Sequence, residues 1–202
     1  MKRNCILLAS LVLVVFACKR EYPSTNTAAT NTTGTETTGI TATNTAPTTT
    51  AAVTSTAPLS DADKNFAIKA AQGGTMEVNL GQLAASKATS NEVKDFGNRM
   101  VSDHGKAGDE LKALAAQKGL TLPTQPSDEE KKASNELSMK QGKEFDKAYM
   151  SDMVKDHEMD AKEFEKASKE VKDPDLKNWA SKTLTVIQDH LKMAKQVASK
   201  VK

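Results

Sequence analysis

Cysteine is nearly missing from this chain: of 202 residues only Cys5 and Cys18 are cysteines. Everything after residue 18 must therefore fold without disulfides and without thiolate metal sites. Aromatic residues make up only 4% of the sequence, and no run alternates β-branched or aromatic residues with polar ones. Strands are thus not expected. Neither sign of charge dominates, with 28 Lys and Arg against 26 Asp and Glu, interleaved along the chain. That balance, with so few rings to stack on bases, excludes a nucleic-acid partner. There is no glycine-rich phosphate loop, and no Ser, Thr or Asp is arranged as a nucleophile triad around a histidine.

One long apolar run is present, Cys5 to Phe16, preceded by Lys2 and Arg3. It is short for a comfortable membrane span and has the layout of an export signal. Val15-Phe16-Ala17-Cys18 resembles the lipobox of bacterial lipoproteins, in which the cysteine becomes the lipidated N-terminus, although Phe16 is bulkier than usual there. Residues 1–18 are accordingly expected to be a lipoprotein-type signal peptide, with an ordinary signal peptide cut nearby as the alternative. Cys18 is the expected lipidation site, and the membrane is a partner through that anchor. The expected location is a bacterial envelope, at the outer membrane or periplasmic face.

Residues 19–59 are rich in Thr, Ala, Asn, Ser, Gly and Pro and nearly free of charge beyond Tyr22. Such a segment cannot bury enough apolar surface to offset its ordering entropy, so a disordered tether is expected. Residues 60–202 then form one domain in which Ala, Lys, Glu, Leu and Met dominate. Four amphipathic segments are predicted to be helices, over about 61–87, 91–118, 143–171 and 174 to the C-terminus, with a short polar helix over about 127–141. Ser60, Ser90 or Asn91, and Asp173 before Pro174 are the N-caps, and Gly119 and Gly142 are stops. Gly73, Gly74 and Gly81 are read as close approaches of a neighbouring helix, a local break at Gly73-Gly74 being the alternative. The methionines fall mostly at apolar spacing, as core filler rather than a copper site.

Two local repeats accompany this layout. Asn91-Glu92-Val93-Lys94-Asp95-Phe96 parallels Pro174-Asp175-Leu176-Lys177-Asn178-Trp179, which suggests two related helical hairpins. Arg99-Met100-Val101-Ser102-Asp103-His104 also parallels Asp152-Met153-Val154-Lys155-Asp156-His157, in a register that crosses the first.

The chain has three histidines, each preceded by aspartate: Asp103-His104, Asp156-His157 and Asp189-His190. Each histidine falls on the apolar side of its helix, as does Glu77 on the first. Counting from the turns at about 1.5 Å per residue puts the two polar groups of each hairpin within about a turn of one depth. Four inward side chains near the helix centres, Glu77, His104, His157 and His190, are therefore expected to meet. That donor set suits one Fe, Mn or Zn ion. Asp103, Asp156 and Asp189 are candidates to orient a histidine on a neighbouring helix. The competing reading is a metal-free Asp–His hydrogen-bond network that fixes bundle register in a structural or interaction module of the envelope.

Several runs resemble the bacterial family called domain of unknown function 4142. They are Ala70-Ala71-Gln72-Gly73-Gly74 through Glu77, Leu80-Gly81-Gln82-Leu83-Ala84, Val93-Lys94-Asp95-Phe96 and Arg99 to His104. Leu111 to Gly119, Thr121-Leu122-Pro123, Phe145 to Tyr149, Asp156-His157 and His190-Leu191 continue the likeness. The resemblance spans Ser60 to Val201 and implies an all-α, ferritin-like four-helix bundle in exported proteins, with no assigned activity. Di-iron ferritin-like proteins carry Glu-x-x-His on two helices. Val101, Val154 and Ile187 stand three before the histidines here, which argues against di-iron oxidase or peroxidase chemistry and, on balance, against an enzyme. A single ion, held for storage, sequestration or stress protection, is the expected function.

Overall fold

The computed structural model describes residues 57–201. The signal segment, Cys18 and nearly all of the tether lie outside them. Five helices and no strand occur among the described residues: α1 (Asp61–Lys87), α2 (Asn91–Gln117), α3 (Asp128–Ser138), α4 (Gly142–Glu170) and α5 (Pro174–Lys200). None of them is long and apolar enough to cross a membrane.

The helix ends follow from local chemistry. The Ser60 hydroxyl accepts from Asp63 N at 3.2 Å, and Asp61 and Asp63 face the positive end of α1. Ser127 and Glu130 form a reciprocal capping box that starts α3. Asp173 caps α5 by accepting from the amides of Asp175 and Leu176, with Pro174 at the first helical position. Gly119 closes α2 with φ at 69°. Gly142, expected as a stop, instead opens α4 with φ at 57°, after the short helix has already ended at Ser138. Both glycines occupy the left-handed region that side chains disfavour.

Two buried carboxylates fix how the hairpins run. Asp63, in the first turn of α1, accepts from Lys172 N and Asp173 N in the α4–α5 turn. Asp146, in the first turns of α4, accepts from Thr89 N, Ser90 N and the Thr89 hydroxyl in the α1–α2 turn. Each hairpin thus begins where the other one turns. At the first of these ends the Lys118 ammonium, just past α2, also bridges Asp173 and Asp175 at 2.7 and 2.8 Å. Consequently α1 and α5 run one way and α2 and α4 the other. Hairpins α1–α2 and α4–α5 pack together with α2 against α5 and α1 against α4. The α2-to-α4 connection must travel the length of the bundle, carrying α3 along α1 and α4. One long crossover of this kind is the ferritin-like arrangement.

The clamps also decide between the two repeats. Asp63 and Asp146 are 83 positions apart, as are Thr89 and Lys172, Ser90 and Asp173, and Phe96 and Trp179. The hairpins are therefore equivalent in the register of the first repeat. The match around His104 and His157 lies in another register and corresponds to no structural equivalence.

Inside, apolar side chains form two clusters toward opposite ends. One gathers Leu80, Val93, Phe96, Met100, Phe145 and Met153; the other gathers Leu111, Phe164, Leu176, Trp179 and Ile187. Each fully buried side chain of this size contributes about 1.5–3 kcal/mol. Met100, Met150 and Met153 are fully buried, whereas Met159 is 61% exposed. Gly81 and Gly97 touch backbone to backbone, since a Cβ on either would lie 2.7 Å from the other's carbonyl oxygen. Gly73 and Gly74 are different: a Cβ on Gly74 would meet nothing within 4 Å and one on Gly73 only Glu130, at 3.8 Å. Close approach explains Gly81 but not those two, and α1 runs through them without a break.

Candidate metal centre

Between the two apolar clusters lies a polar layer. Glu77 from α1, His104 from α2, His157 from α4 and His190 from α5 are all buried, with exposures of 1%, 8%, 0% and 0%. One ring nitrogen from each histidine lies within 4.8 Å of those of the other two. The ring centroids are 5.2 to 5.7 Å apart. Three imidazoles from three helices thus converge, and they form a group that could hold a metal ion.

Two of the rings have their tautomers set by neighbours. His157 Nδ1 donates to the Met153 carbonyl one turn earlier, at 2.9 Å, which leaves Nε2 with a lone pair. His190 Nε2 donates to Asp103 on α2 at 2.9 Å, leaving Nδ1 with the lone pair. Asp103 is itself held by Arg99 from the preceding turn. Its burial raises the carboxyl, but the bonds to His190 and Arg99 outweigh that and hold it below its ordinary range. His157 Nε2, His190 Nδ1 and His104 Nε2 are buried and have no hydrogen-bond partner. A buried polar atom left in that state costs about 1–3 kcal/mol.

Burial also keeps these rings neutral. His104 is pushed down to about 3 by desolvation and then by the other two histidines. His157 is pushed down to about 4 by desolvation and then by His190. For His190 desolvation likewise wins over the Asp103 contact, and its shift is downward. Neutral imidazole is the form that binds metals.

Glu77 stands beside the trio rather than within it. Its Oε1 lies 3.8 Å from His157 Nδ1, the nitrogen already engaged with Met153. Both carboxyl oxygens lack hydrogen-bond partners. Desolvation first, then Asp160, Asp156 and Glu130, raise Glu77 well above the usual carboxyl range. Tyr149 from α4 has a similarly unpartnered hydroxyl, raised by burial and by Glu77.

The other aspartates are arranged unequally. Asp103 bonds a histidine across helices. Asp156 is half-buried with its carboxyl raised to about 6 by desolvation and then by Asp152, and no bond joins it to a histidine. Asp189 is exposed on α5. Asp160, not singled out in the sequence, lies one turn beyond His157, and burial followed by Asp156 raises it to about 7. It and His104 share the wall of a cavity of about 990 Å³. The i,i+3 spacing from His157 was the available signal for Asp160, and Tyr149 was hidden as one more residue on an apolar face.

The fold has a counterpart among solved structures. The crystal structure of a DUF305 fragment from Deinococcus radiodurans superposes with a TM-score of 0.63 over 71% of this chain and 99% of that one. Identity is 10%, so the likeness is one of fold. No curated protein matches the sequence. Residues 48–197 match the family described as Domain of unknown function (DUF4142), and the protein belongs to that family.

Proposed function

We propose that this domain binds one transition-metal ion on His104, His157 and His190 and serves to sequester it in the bacterial envelope. The observations that carry the reading are that one ring nitrogen of each buried histidine lies within 4.8 Å of those of the other two, and that each ring has a buried nitrogen without a hydrogen-bond partner. A metal-free Asp–His network would use those nitrogens in hydrogen bonds, whereas among the described residues only the Asp103–His190 bond joins a histidine to an aspartate. Imidazole nitrogen suits Zn and Fe better than Mn, which prefers carboxylate oxygen. Zinc at 2.0–2.1 Å from three nitrogens needs them roughly 3.3–3.4 Å apart, so the rings draw together from the present limit of 4.8 Å when the ion binds. His157 and His190 carry the supporting hydrogen bonds that fix ring orientation in metal sites.

The location rests on residues 1–59: an export signal, lipid on Cys18 and a polar tether that holds the bundle off the membrane. Loss of fatty-acid labelling in Cys18→Ala tests the anchor.

Chelator competition with purified protein tests the site. One zinc or ferrous ion per chain, bound at least 100-fold more weakly by His157→Ala, is the expected result. Protein that takes up no metal, with folding unaffected by the substitution, would return the layer to a structural role.

A further inference from the structure

The cavity that His104 borders runs between α1, α2 and the segment that follows α2, with inward residues of α4 and α5 closing its far side. Gly74 and Gly108 line it, and a Cβ on either would meet nothing within 4 Å. Phe66, Leu111, Phe164, Trp179 and Ile187 supply apolar wall. The aromatic rings pack on one another, with Phe66 to Phe164 at 5.2 Å and Phe164 to Trp179 at 5.6 Å. At about 990 Å³ the space is at the upper end for small-molecule sites. His104 reaches it as a nine-tenths buried side chain whose Nε2 has no partner, while His157 and His190 are not part of its wall.

Three imidazoles leave a four-coordinate ion one position short, and a fourth position open to a cavity distinguishes ligand-exchanging centres from closed structural ones. Glu77 does not fill it here, because it lies outside the 4.8 Å group and beside the engaged nitrogen of His157.

Resting on the metal reading above, we infer that the ion keeps one coordination position open to this cavity, which takes a neutral small molecule with an apolar body and one nitrogen or oxygen donor. Charge disfavours both kinds of ion: Asp109, Glu129, Glu130 and Glu163 in the wall outnumber Lys69 and Lys112 and oppose an anion, while the bound ion's own positive charge opposes a cation at the open position. The aromatic and aliphatic wall favours an apolar body over a bare donor.

Cobalt(II) replaces the native ion and reports its coordination by its visible spectrum. Full-length cobalt protein is titrated with imidazole, 4-phenylimidazole and azide, retained metal being measured at each point. The expected result is a shifted spectrum with 4-phenylimidazole, bound at least tenfold more tightly than imidazole, and azide weakest. Gly74→Leu and Gly108→Leu fill the cavity while improving helix propensity. Each should weaken 4-phenylimidazole at least tenfold and leave cobalt affinity unchanged. Bound cobalt whose spectrum no donor moves overturns the open position. Equal binding of the two imidazoles, or leucine variants without effect, overturns the cavity as the ligand's site. Failure to bind cobalt at all refutes the metal reading itself, a result distinct from either.

Discussion

Where the α4–α5 hairpin places His157 and His190, the α1–α2 hairpin has Gly74 and Ala107, the residues 83 positions earlier. Both of those small residues line the cavity. The reverse holds for His104, whose counterpart in the second hairpin is Ile187, and Glu77 is matched by Asp160. The frame is shared and the filling is not. Clamps, turns and the Phe96/Trp179 pair keep their register, because each holds a helix end or an apolar contact that both halves need. The middle layer diverges, with two imidazoles in one half and open space with one imidazole in the other. A near-symmetric bundle can thus support a one-sided site, provided the asymmetry is confined to side chains between two apolar clusters.

The helix crossings differ too. Gly81 and Gly97 bring α1 and α2 into backbone contact, while the equivalent pair in α4–α5 is Phe164 and Ala180. The first hairpin pinches near its turn and leaves space along Gly74 and Gly108.

The strongest break in the shared frame is expected from the clamps. Asp146→Ala strands two backbone amides and a hydroxyl and should cost about 3–4 kcal/mol in urea unfolding. Asp63→Ala strands two amides and should cost about 2–3 kcal/mol. Equal small losses would mean that the two ends are not held as described.

Next comes the crossing. Gly97→Ala drives a Cβ to 2.7 Å from the Gly81 carbonyl and 2.9 Å from Ala84 Cβ. It should destabilise by about 2 kcal/mol. The matched change Ala180→Gly should cost only about 1 kcal/mol, the helix-propensity difference. Thermal unfolding of the pair checks the contrast.

The aspartates sharpen the comparison at the site. Asp103→Asn weakens the hydrogen bond that orients His190 and should lower metal affinity about 10–100-fold. Asp189→Asn, on an exposed residue, should leave affinity unchanged. Isothermal titration of both variants separates an orienting role from mere sequence adjacency.

The smallest effect concerns pH. Asp160 is held up to about 7, against roughly 3.9 in the unfolded chain. The folded state therefore retains this proton where the unfolded chain has lost it, and stability from this group declines as pH rises from about 4 to about 7. Asp160→Asn should leave stability unchanged at about pH 3, below both pKa values, and raise it at about pH 8 by about 1 kcal/mol, partial exposure reducing the full linkage. Chemical denaturation at the two pH values tests the sign.

Helix ends were legible in the sequence because they rest on local chemistry. Ser60, Ser127 and Asp173 with Pro174 cap within one turn of themselves, and the observed starts agree with them. The depth of the histidines was legible for a similar reason, since counting residues from a turn measures distance along a helix. Gly142 misled because glycine favours positive φ at a start as well as at a stop. The direction of α4 relative to α2 was not legible. It depends on Asp63 reaching residues 172–173 and Asp146 reaching 89–90, contacts about a hundred and about sixty residues apart along the chain. The cavity, the place of Asp160 in it and the choice of Asp103 as the bonded aspartate all follow from that packing.

Whether three imidazoles share one ion can be read directly by X-ray absorption at the zinc edge of the loaded protein. The geometry calls for three imidazole ligands per zinc, falling to two in His190→Ala. Zinc carried with one imidazole or none, or a spectrum indifferent to removal of His190, would show that the ion is held elsewhere.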